Sequence, residues 1–214
     1  MSSTISELRR EYALASLSRD SIDPYPLQQF EHWFQEALKA EVFEPNAMTL
    51  ATVDSRNRPS ARIVLLKNVE PTGFVFFTNY QSAKGQQLAA NPYAALVFFW
   101  KELERQVRIE GQIKKVSPAV SERYFLSRPR GSQIGAVASN QSQVVSTRSD
   151  LEARFKALEA RYSEQTIPIP PHWGGYQLAP DVLEFWQGRR NRLHDRLRYR
   201  LLDNNTWTIE RLEP

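Results

Sequence analysis

The sequence lacks cysteine altogether and contains only three histidines among its 214 residues. Without cysteine, the chain has no disulfide bond, no thiolate metal ligand and no thiol nucleophile. The histidines (His32, His172 and His194) lie far apart and lack the spacing of metal ligands. We therefore expect no metal site, and the absence of cysteine agrees with a reducing compartment.

Long apolar segments are also absent. The strongest apolar run, residues 94–100, is too short to cross a bilayer. Residues 1–10 are polar and charged, unlike the apolar centre of a signal peptide. We expect a cytoplasmic protein that has no membrane partner.

The chain is basic, with a formal net charge of +4 and a pI of about 9.4. Basic proteins include many that bind nucleic acids. Here most of the positive charges are arginines, dispersed except for one C-terminal cluster, and no recognised nucleic-acid motif accompanies them. A small anionic ligand explains such a cluster equally well, so we expect no nucleic-acid partner.

Short strands dominate the predicted secondary structure. Two helices, over residues 5–17 and 27–38, precede the strands, because apolar residues recur there at helical spacing. Later helices are expected to begin at Ser82, Ser117 and Ser149, which can cap a first turn. The predicted strands cover residues 48–53, 61–67, 73–78, 93–100, 106–116, 173–178, 182–187 and 196–202.

Sequential short strands usually pair antiparallel, and five or more tend to curl into a barrel. The sequence therefore predicts a mainly β (α+β) fold, an antiparallel β-barrel with peripheral helices. No linker divides it into two domains.

The C-terminal basic cluster occupies residues 188–200. If this segment is an extended strand, its side chains alternate between two faces. One face would carry Arg192, His194 and Arg196, followed by Arg198 and Arg200, while apolar side chains form the other. Such a face presents cations to an anionic ligand, although a solvated basic surface explains the pattern equally well.

A second cluster lies in residues 121–133. On a helix, Tyr124 and Arg128 are four residues apart and share one face. Pro129 and Gly131 would then turn the chain and bring Ser132 to the same point. A phenol, a guanidinium and a hydroxyl together indicate a phosphate site. The pattern alone favours an ordinary helix end, with Arg128 near the last carbonyls.

A third cluster combines a strand containing Arg62 and Lys67 with the helix that Ser82 caps. A helix N-terminus offers free backbone N–H groups to an anion. Lys84 lies in the first turn, where a cation is unfavourable unless an anion binds. Arg62 and Lys67 would point to opposite faces of a regular strand, and a bulge would bring them to one pocket.

Hydrolase and dinucleotide-binding interpretations have little support. The sequence contains no evident Ser/His/Asp arrangement, no paired carboxylates and no Gly-x-Gly-x-x-Gly motif.

Taken in chain order, these segments resemble the pyridoxine/pyridoxamine 5′-phosphate oxidase family over nearly the whole length. Each stretch is weak alone, but the ordered set is specific, and its sharpest part is Glu184-Phe-Trp-Gln-Gly188 followed by Arg192-Leu-His-Asp-Arg196. The other stretches are Leu8-Arg-Arg-Glu-Tyr12, Arg62-Ile-Val-Leu-Leu-Lys67, Phe77-Thr-Asn79, Glu104-Arg-Gln-Val107, Tyr124-Phe-Leu-Ser-Arg-Pro-Arg130, Ser132-Gln-Ile-Gly135, Gln141-Ser142 and Trp173-Gly-Gly175.

The resemblance implies a split β-barrel homodimer with FMN at the subunit interface. Its activity would be the oxidation of pyridoxine 5′-phosphate or pyridoxamine 5′-phosphate by oxygen. The products would be pyridoxal 5′-phosphate and hydrogen peroxide, with ammonia released from the amine. Residues 1–20 would form an N-terminal helical segment that closes over the active site, and residues 21–214 a single FMN-binding domain.

The resemblance also assigns site residues. Arg62 and Lys84 would hold the FMN phosphate, with Gln141 and Ser142 contributed by the partner subunit. Arg192 and His194 would be catalytic, Arg192 orienting the reacting carbon, and Arg196 would stabilise charge on the reduced cofactor. The full FMN set is Arg62, Ile63, Val64, Leu65, Leu66, Lys67, Phe77, Thr78, Lys84, Gln106, Gln141, Ser142, Trp186 and Arg196. The substrate set is Arg9, Arg10, Glu11, Tyr12, Lys67, Tyr124, Arg128, Ser132, Arg192, Leu193 and His194.

One position departs from the family pattern. Many members have Ser-Arg-Lys where this chain has Ser82-Ala83-Lys84. The missing guanidinium predicts weaker FMN binding, since a hydrogen bond to a charged group is worth about 1.5–3 kcal/mol.

Two other functions stay open on the sequence alone. A split-barrel flavin reductase with another substrate class would share the FMN residues, and a flavin- or haem-binding relative would lack catalysis. Either the alcohol or the amine could be the preferred substrate.

Overall fold

The computed structural model describes residues 5–8 and 11–214, so the predicted site residues Arg9 and Arg10 lie outside the described residues. Helices and strands alternate along the chain in short elements. The described strands are β1 (Ala47–Val53), β2 (Pro59–Leu65), β3 (Asn68–Glu70), β4 (Gly73–Asn79), β5 (Tyr93–Trp100), β6 (Arg105–Lys115), β7 (Trp173–Gln187), β8 (Asp195–Leu201) and β9 (Trp207–Leu212). The helices are α1 (Pro26–Lys39), α2 (Ala83–Ala90), α3 (Pro118–Ser127), α4 (Arg130–Ala138) and α5 (Arg148–Arg161).

The strands form one sheet in the order β2-β1-β5-β6-β7-β4-β3, and β8 pairs with both β7 and β9. The pairs β3–β4, β4–β7, β7–β8 and β8–β9 are antiparallel. The predicted antiparallel, mainly β architecture is therefore confirmed. None of the helices in the described part of the chain has the length and apolar character needed to span a membrane.

The described chain forms two compact units. The first contains the described residues up to 50 together with residues 95–111 and 180–214, and the second contains residues 51–94 and 112–179. The expectation of an N-terminal closing segment and a single domain stays a prediction.

Aromatic side chains make the core of the first unit. The apolar stripe of α1 buries Phe30 and Trp33, and the Phe30 ring lies 5.1 Å from that of Phe98. Trp33 packs edge-on against Phe185 of β7 at 5.2 Å. Rings of this size dominate core energetics through the apolar area that they bury, so α1 is held by this cluster.

The second unit has its own core, built around Phe125, Ile134, Ile167 and Trp173. Two of its helices, α2 and α3, begin directly after the serines that were predicted to cap them. The Ser82 side chain accepts from the Gly85 N–H at 3.3 Å, and the Ser117 side chain from Val120 at 3.3 Å. These caps satisfy backbone donors that a helix N-terminus leaves unpaired.

The helix predicted over residues 5–17 is wrong. Of the described residues in this range, Ile5–Glu7 form a short 3-10 turn and residues 11–17 are irregular. Their backbone donors bind side chains distant in sequence: Ala13 and Leu14 donate to Glu104, and Leu17 donates to Asp195. Tertiary hydrogen bonds therefore replace the helical ones in this segment.

Several boundaries also differ from the prediction. Helix α5 begins two residues earlier than expected, because Thr147 and Asp150 form the capping box in place of Ser149 and Glu152. The two strands expected over residues 173–178 and 182–187 form the single strand β7, whose first part pairs with β4 and whose second part pairs with β8. Helix α4 and the strands β3 and β9 were not predicted.

Gly73 is a position where the backbone requires glycine. Its φ is +142°, and a Cβ there would lie 1.9 Å from the carbonyl oxygen of Leu178. We expect Gly73→Ala to lower the free energy of unfolding by about 1–3 kcal/mol or more. The matched control is Gly131→Ala in α4, where nothing lies within 4 Å of the new Cβ. That variant should be neutral or up to about 1 kcal/mol more stable. Urea denaturation of both variants checks this, and equal stabilities would contradict it.

Candidate active site

One candidate site is a cavity of about 720 Å³ within the second unit. Its size suits a small-molecule ligand. It brings together twelve of the predicted site residues: Arg62, Ile63, Val64, Leu65, Lys67, Phe77, Thr78, Lys84, Tyr124, Arg128, Ser132 and Gln141. These residues come from separate strands, helices and loops, and the fold brings them to one cavity.

Arg62 lies on β2 and is oriented by two neutral partners. Its Nη1 donates to Thr52 Oγ1 at 2.5 Å and its Nη2 to Gln87 Oε1 at 3.0 Å. Partial burial lowers the pKa of Arg62. The guanidinium nevertheless stays charged, since an arginine does not lose its proton in proteins. It therefore brings a fixed positive charge to the cavity.

Lys84, in the first turn of α2, supplies a second cation to the cavity. Burial, followed by the positive charge of Arg62, lowers the pKa of Lys84. Its Nζ donates to Gln141 Oε1 at 2.9 Å, and Thr78 Oγ1 donates to the same oxygen at 3.1 Å. Gln141 thus reaches Lys84 of its own chain, and its contribution to the site of a partner subunit stays a prediction.

Lys67 lines the same cavity as Arg62, although a regular strand would direct their side chains to opposite faces. Strand β2 ends at Leu65, and the Lys67 N–H donates to Val75 O at 2.8 Å. The interruption between β2 and β3 removes the alternation that would separate the two side chains. Of the two predicted alternatives, the structure therefore shows the one in which both side chains reach the same cavity.

Arg128 is positioned differently from the prediction. Helix α3 ends at Ser127, and Arg128 is its C-cap with extended backbone angles of φ −73° and ψ 149°. It does not share a helix face with Tyr124, although both line the cavity together with Ser132. Ser132 arrives in the first turn of α4, where its N–H donates to Pro129 O at 2.8 Å. A chain turn and a second helix produce this convergence.

The Arg128 guanidinium is the clearest sign of a missing partner. It lies over the Trp173 ring at 4.9 Å, and its Nη1 is buried without a hydrogen-bond partner in the described part of the chain. Burial also lowers the pKa of this side chain. A buried donor without an acceptor costs free energy, and a phosphate oxygen would supply that acceptor. The residues of this cavity therefore fit an anionic phosphate group.

A second, smaller cavity of about 370 Å³ lies within the first unit. Its lining includes Tyr12, Arg192 and His194. The His194 Nδ1 accepts from the Arg189 N–H at 3.1 Å, so the neutral imidazole carries its proton on Nε2. Burial, followed by the charge of Arg192, lowers the pKa of His194. The ring therefore offers an N–H donor near neutral pH.

Residues 188–200 do not form one extended strand, and Arg192 and His194 lie before β8. Strand β8 begins at Asp195, and Arg192 ends a 3-10 turn with a positive φ of 60°. From Arg196 onward the alternation is as predicted, and Leu197 and Tyr199 are buried.

The arginines of β8 pair with carboxylates. Arg196 Nε lies 2.8 Å from Glu184 Oε1, and Arg198 and Arg200 both contact Glu210. The hydrogen bond to Glu184 raises the pKa of Arg196. These ion pairs replace the open row of cations that the alternation predicted.

The remaining predicted residues do not line the larger cavity. Gln106, Trp186 and Arg196 belong to the first unit, Leu66 is buried, and Ser142 and Leu193 are exposed. Glu11 lines the smaller cavity.

The sequence analysis did not identify six of the residues that line this cavity, and a helical pattern would have found three of them. Ser132 was predicted, and Gly135, Ala136 and Ser139 follow it at intervals of three, four and seven residues, which places them on one helix face. Trp173 belongs to the quoted Trp-Gly-Gly stretch but had no assigned role. Asn79 and Pro129 complete the lining.

Two protein-family models match the chain. One is described as pyridoxamine 5′-phosphate oxidase and covers residues 34–162. The other is described as the C-terminal dimerisation region of pyridoxine 5′-phosphate oxidase and covers residues 173–214. Together they span most of the sequence.

Curated relatives match over the full length. Pyridoxine/pyridoxamine 5′-phosphate oxidase from a Cyanothece species is 58% identical over 214 residues, covering 100% of both chains. The protein of the same name from Paraburkholderia phytofirmans is 59% identical over 212 residues, covering 99% of each.

Solved structures share the fold. PhzG from Burkholderia lata, in complex with tetrahydrophenazine-1-carboxylic acid, has a TM-score of 0.88 and 31% identity, over 94% of this chain and 100% of its own. An FMN-binding protein from Nostoc punctiforme, related to pyridoxamine 5′-phosphate oxidase, has a TM-score of 0.70 at 18% identity, over 91% and 99%. These likenesses confirm the predicted split β-barrel fold with peripheral helices.

The environment of His194 predicts a measurable titration. We expect its imidazole to titrate below 6.5, because burial and the Arg192 charge both disfavour protonation. Since the unfolded chain then binds more protons, stability is highest above pH 6.5 and falls as the pH drops towards the folded-state pKa. NMR titration of the ring measures the midpoint. Arg192→Gln should raise it, while Arg192→Lys, which keeps the charge, should not. A midpoint indifferent to both substitutions would remove Arg192 as a cause.

Proposed function

We propose that this chain, which belongs to the pyridoxamine 5′-phosphate oxidase family, oxidises pyridoxine 5′-phosphate or pyridoxamine 5′-phosphate to pyridoxal 5′-phosphate. The observation that carries the proposal is the phosphate-binding geometry of the larger cavity. Lys67, Tyr124, Arg128 and Ser132 converge there, and a buried Arg128 nitrogen lacks an acceptor in the described chain. A substrate phosphate would satisfy that donor.

FMN is the proposed cofactor. Arg62 and Lys84 would hold its phosphate, with Gln141 beside them. When bound, FMN supplies a two-electron acceptor for the hydride of the substrate's 4′ carbon. Oxygen is the proposed final acceptor and hydrogen peroxide the proposed product. Burial lowers the pKa of both Lys84 and Arg62, and the Arg62 charge lowers that of Lys84 further. A bound anion would favour the charged form of both side chains, which supports the assignment.

The phosphate-binding residues act on orientation. A charge-assisted grip on the substrate phosphate fixes one end of the molecule, so its reacting carbon is presented in one geometry. The Arg128 guanidinium itself lies over the Trp173 ring at 4.9 Å, and this contact limits the conformational freedom that the side chain would lose on binding.

At the reacting end, the proposed roles of Arg192 and His194 follow from their protonation. Arg192 cannot act as a base at neutral pH, so its role is to orient the alcohol or amine. The Nδ1 of His194 is engaged by the Arg189 N–H, so its neutral ring donates from Nε2. Arg196, held by Glu184, is the proposed cation for charge on the reduced cofactor.

We also propose a homodimer in which both subunits line each FMN site. Residues 173–214 match a dimerisation region, and the FMN residues implied by the resemblance are divided between the two compact units.

Oxygen-dependent turnover of both phosphorylated substrates, with added FMN, tests the proposed reaction. We expect flavin absorption bands, formation of pyridoxal 5′-phosphate and hydrogen peroxide, and poor turnover of unphosphorylated pyridoxine. Haem bands, or equal turnover of pyridoxine and its phosphate, would contradict the proposal.

Arg128→Ala should weaken substrate binding. Because this side chain would contact the phosphate, far from the reacting carbon, we expect the apparent KM to rise by about ten- to a hundredfold while FMN stays bound. The matched control is Arg123→Ala, an exposed arginine of α3 that does not line the cavity. Steady-state kinetics and FMN titration separate the two effects. An unchanged KM in Arg128→Ala would exclude this phosphate site.

Ala83→Arg should tighten FMN binding. Ala83 is exposed at the first position of α2, next to Lys84, so a guanidinium there would add a cation beside the proposed phosphate site. Affinity should rise most at low salt, and thermal stability should increase when cofactor is limiting. Ala89→Arg, exposed near the other end of α2, is the control. Titration of apo-protein with FMN at two salt concentrations measures both, and equal affinities would show that another residue already fills the role.

A further inference from the structure

We propose that Glu104 is a positioning residue for the reaction, which rests on the proposed function. It holds the irregular segment Glu11–Leu17, here called the strap, so that Tyr12 stands against Trp186 and His194. All of these residues belong to the first unit.

Glu104 is a buried carboxylate whose contacts go to the strap. Its side chain is part of a residue only 2% exposed. Its Oε2 accepts from the Ala13 N–H at 2.8 Å and from the Leu14 N–H at 3.0 Å. Because the strap forms neither helix nor strand, its donors need partners elsewhere, and Glu104 supplies them directly after Tyr12.

The backbone of Glu104 holds the other side of the smaller cavity. Its carbonyl oxygen accepts from the Gly188 N–H at 2.8 Å and from Gln187 Nε2 at 3.2 Å. Gly188 follows β7 and leads into the turn that carries Arg192 and His194. Glu104 has a left-handed backbone, with φ 55° and ψ 40°, which is uncommon for a residue with a side chain. One residue therefore ties the strap and this turn to a common point.

At Gly188 the turn after β7 approaches both the strap and Glu104 closely. A Cβ at Gly188 would lie 2.7 Å from Tyr12 Cβ and 3.0 Å from Glu104 Cβ. The Tyr12 ring lies edge-on to Trp186 at 5.7 Å and to His194 at 6.0 Å. Trp186 and His194 are themselves 4.5 Å apart. Tyr12 is thus packed into the wall of the cavity, and its place depends on the strap backbone that Glu104 binds.

The far end of the strap is fastened separately. Asp195 Oδ2 accepts from the Leu17 N–H at 3.0 Å, and Arg211 Nη2 donates to Leu17 O at 3.1 Å. Loss of Glu104 should therefore release the part that carries Tyr12 and leave Leu17 in place. This separates a positioning role from a general contribution to folding.

Kinetics of the FMN-loaded protein test the role. We expect Glu104→Ala to raise the apparent KM for the phosphorylated substrates by about tenfold or more, with a smaller change in kcat. Glu104→Gln keeps an acceptor oxygen and should recover part of the loss. The control is Glu210→Gln, which alters a carboxylate that pairs with Arg198 and Arg200 between β8 and β9 and should change little.

A double-mutant cycle distinguishes action through Tyr12 from an independent effect. If Glu104 acts by placing Tyr12, then Glu104→Ala should add little in a Tyr12→Ala background. Fully additive changes in KM would overturn the proposal.

Hydrogen exchange gives a readout that does not depend on turnover. Peptides containing residues 11–17 should exchange faster in Glu104→Ala, and less so in Glu104→Gln, while peptides of β7 and β8 keep the parental rates. Absence of oxidase activity in the parent would refute the proposed function, yet exchange would still report whether Glu104 holds the strap. Strap exchange unchanged in both variants would refute the role of Glu104.

Discussion

The second unit is organised around partly buried positive charge. Arg62, Lys84 and Arg128 share one cavity, and burial lowers the pKa of each. Gathering cations away from water costs free energy unless an anion or aligned dipoles compensate. Amide and hydroxyl oxygens from Gln141 and Thr52 provide part of that compensation. A phosphorylated ligand would provide the rest, so the same constraint explains both the shape of the site and the class of molecule that fits it.

Aromatic packing converts these charges into a defined geometry. The Phe77 ring stacks on Tyr124 at 3.9 Å and on Trp173 at 5.5 Å, with small angles between the planes. Phe125 packs edge-on against Trp173 at 5.2 Å, and the Arg128 guanidinium lies 4.9 Å from the Trp173 ring and 6.0 Å from the Phe125 ring. Flat rings pack with few accessible rotamers. Tyr124 and Arg128 are therefore packed against this aromatic core, although Arg128 itself lies outside regular secondary structure.

In the first unit, Tyr12, Arg192 and His194 lie outside the strands and α-helices, so their positions depend on contacts with other side chains. Glu104 and Asp195 bind the backbone of residues 11–17, and Glu184 holds Arg196. Carboxylates are suited to this work, since one group accepts several hydrogen bonds at once. In the arginine-rich C-terminal segment, Arg196, Arg198 and Arg200 are consequently engaged in ion pairs with Glu184 and Glu210.

By itself, the sequence determined the antiparallel β architecture, helix α1, the caps at Ser82 and Ser117, and twelve of the residues that line the larger cavity. Periodicity and capping are local signals, and the ordered motifs identified the family. Tertiary structure decided the rest. Residues 11–17 have a helical pattern in the sequence. Their backbone N–H groups instead donate to the carboxylates of Glu104 and Asp195, and no helix forms there. Lys67 joins Arg62 because the chain leaves β2 between them. Such choices depend on partners far apart in the sequence, whose contact energy no local pattern records.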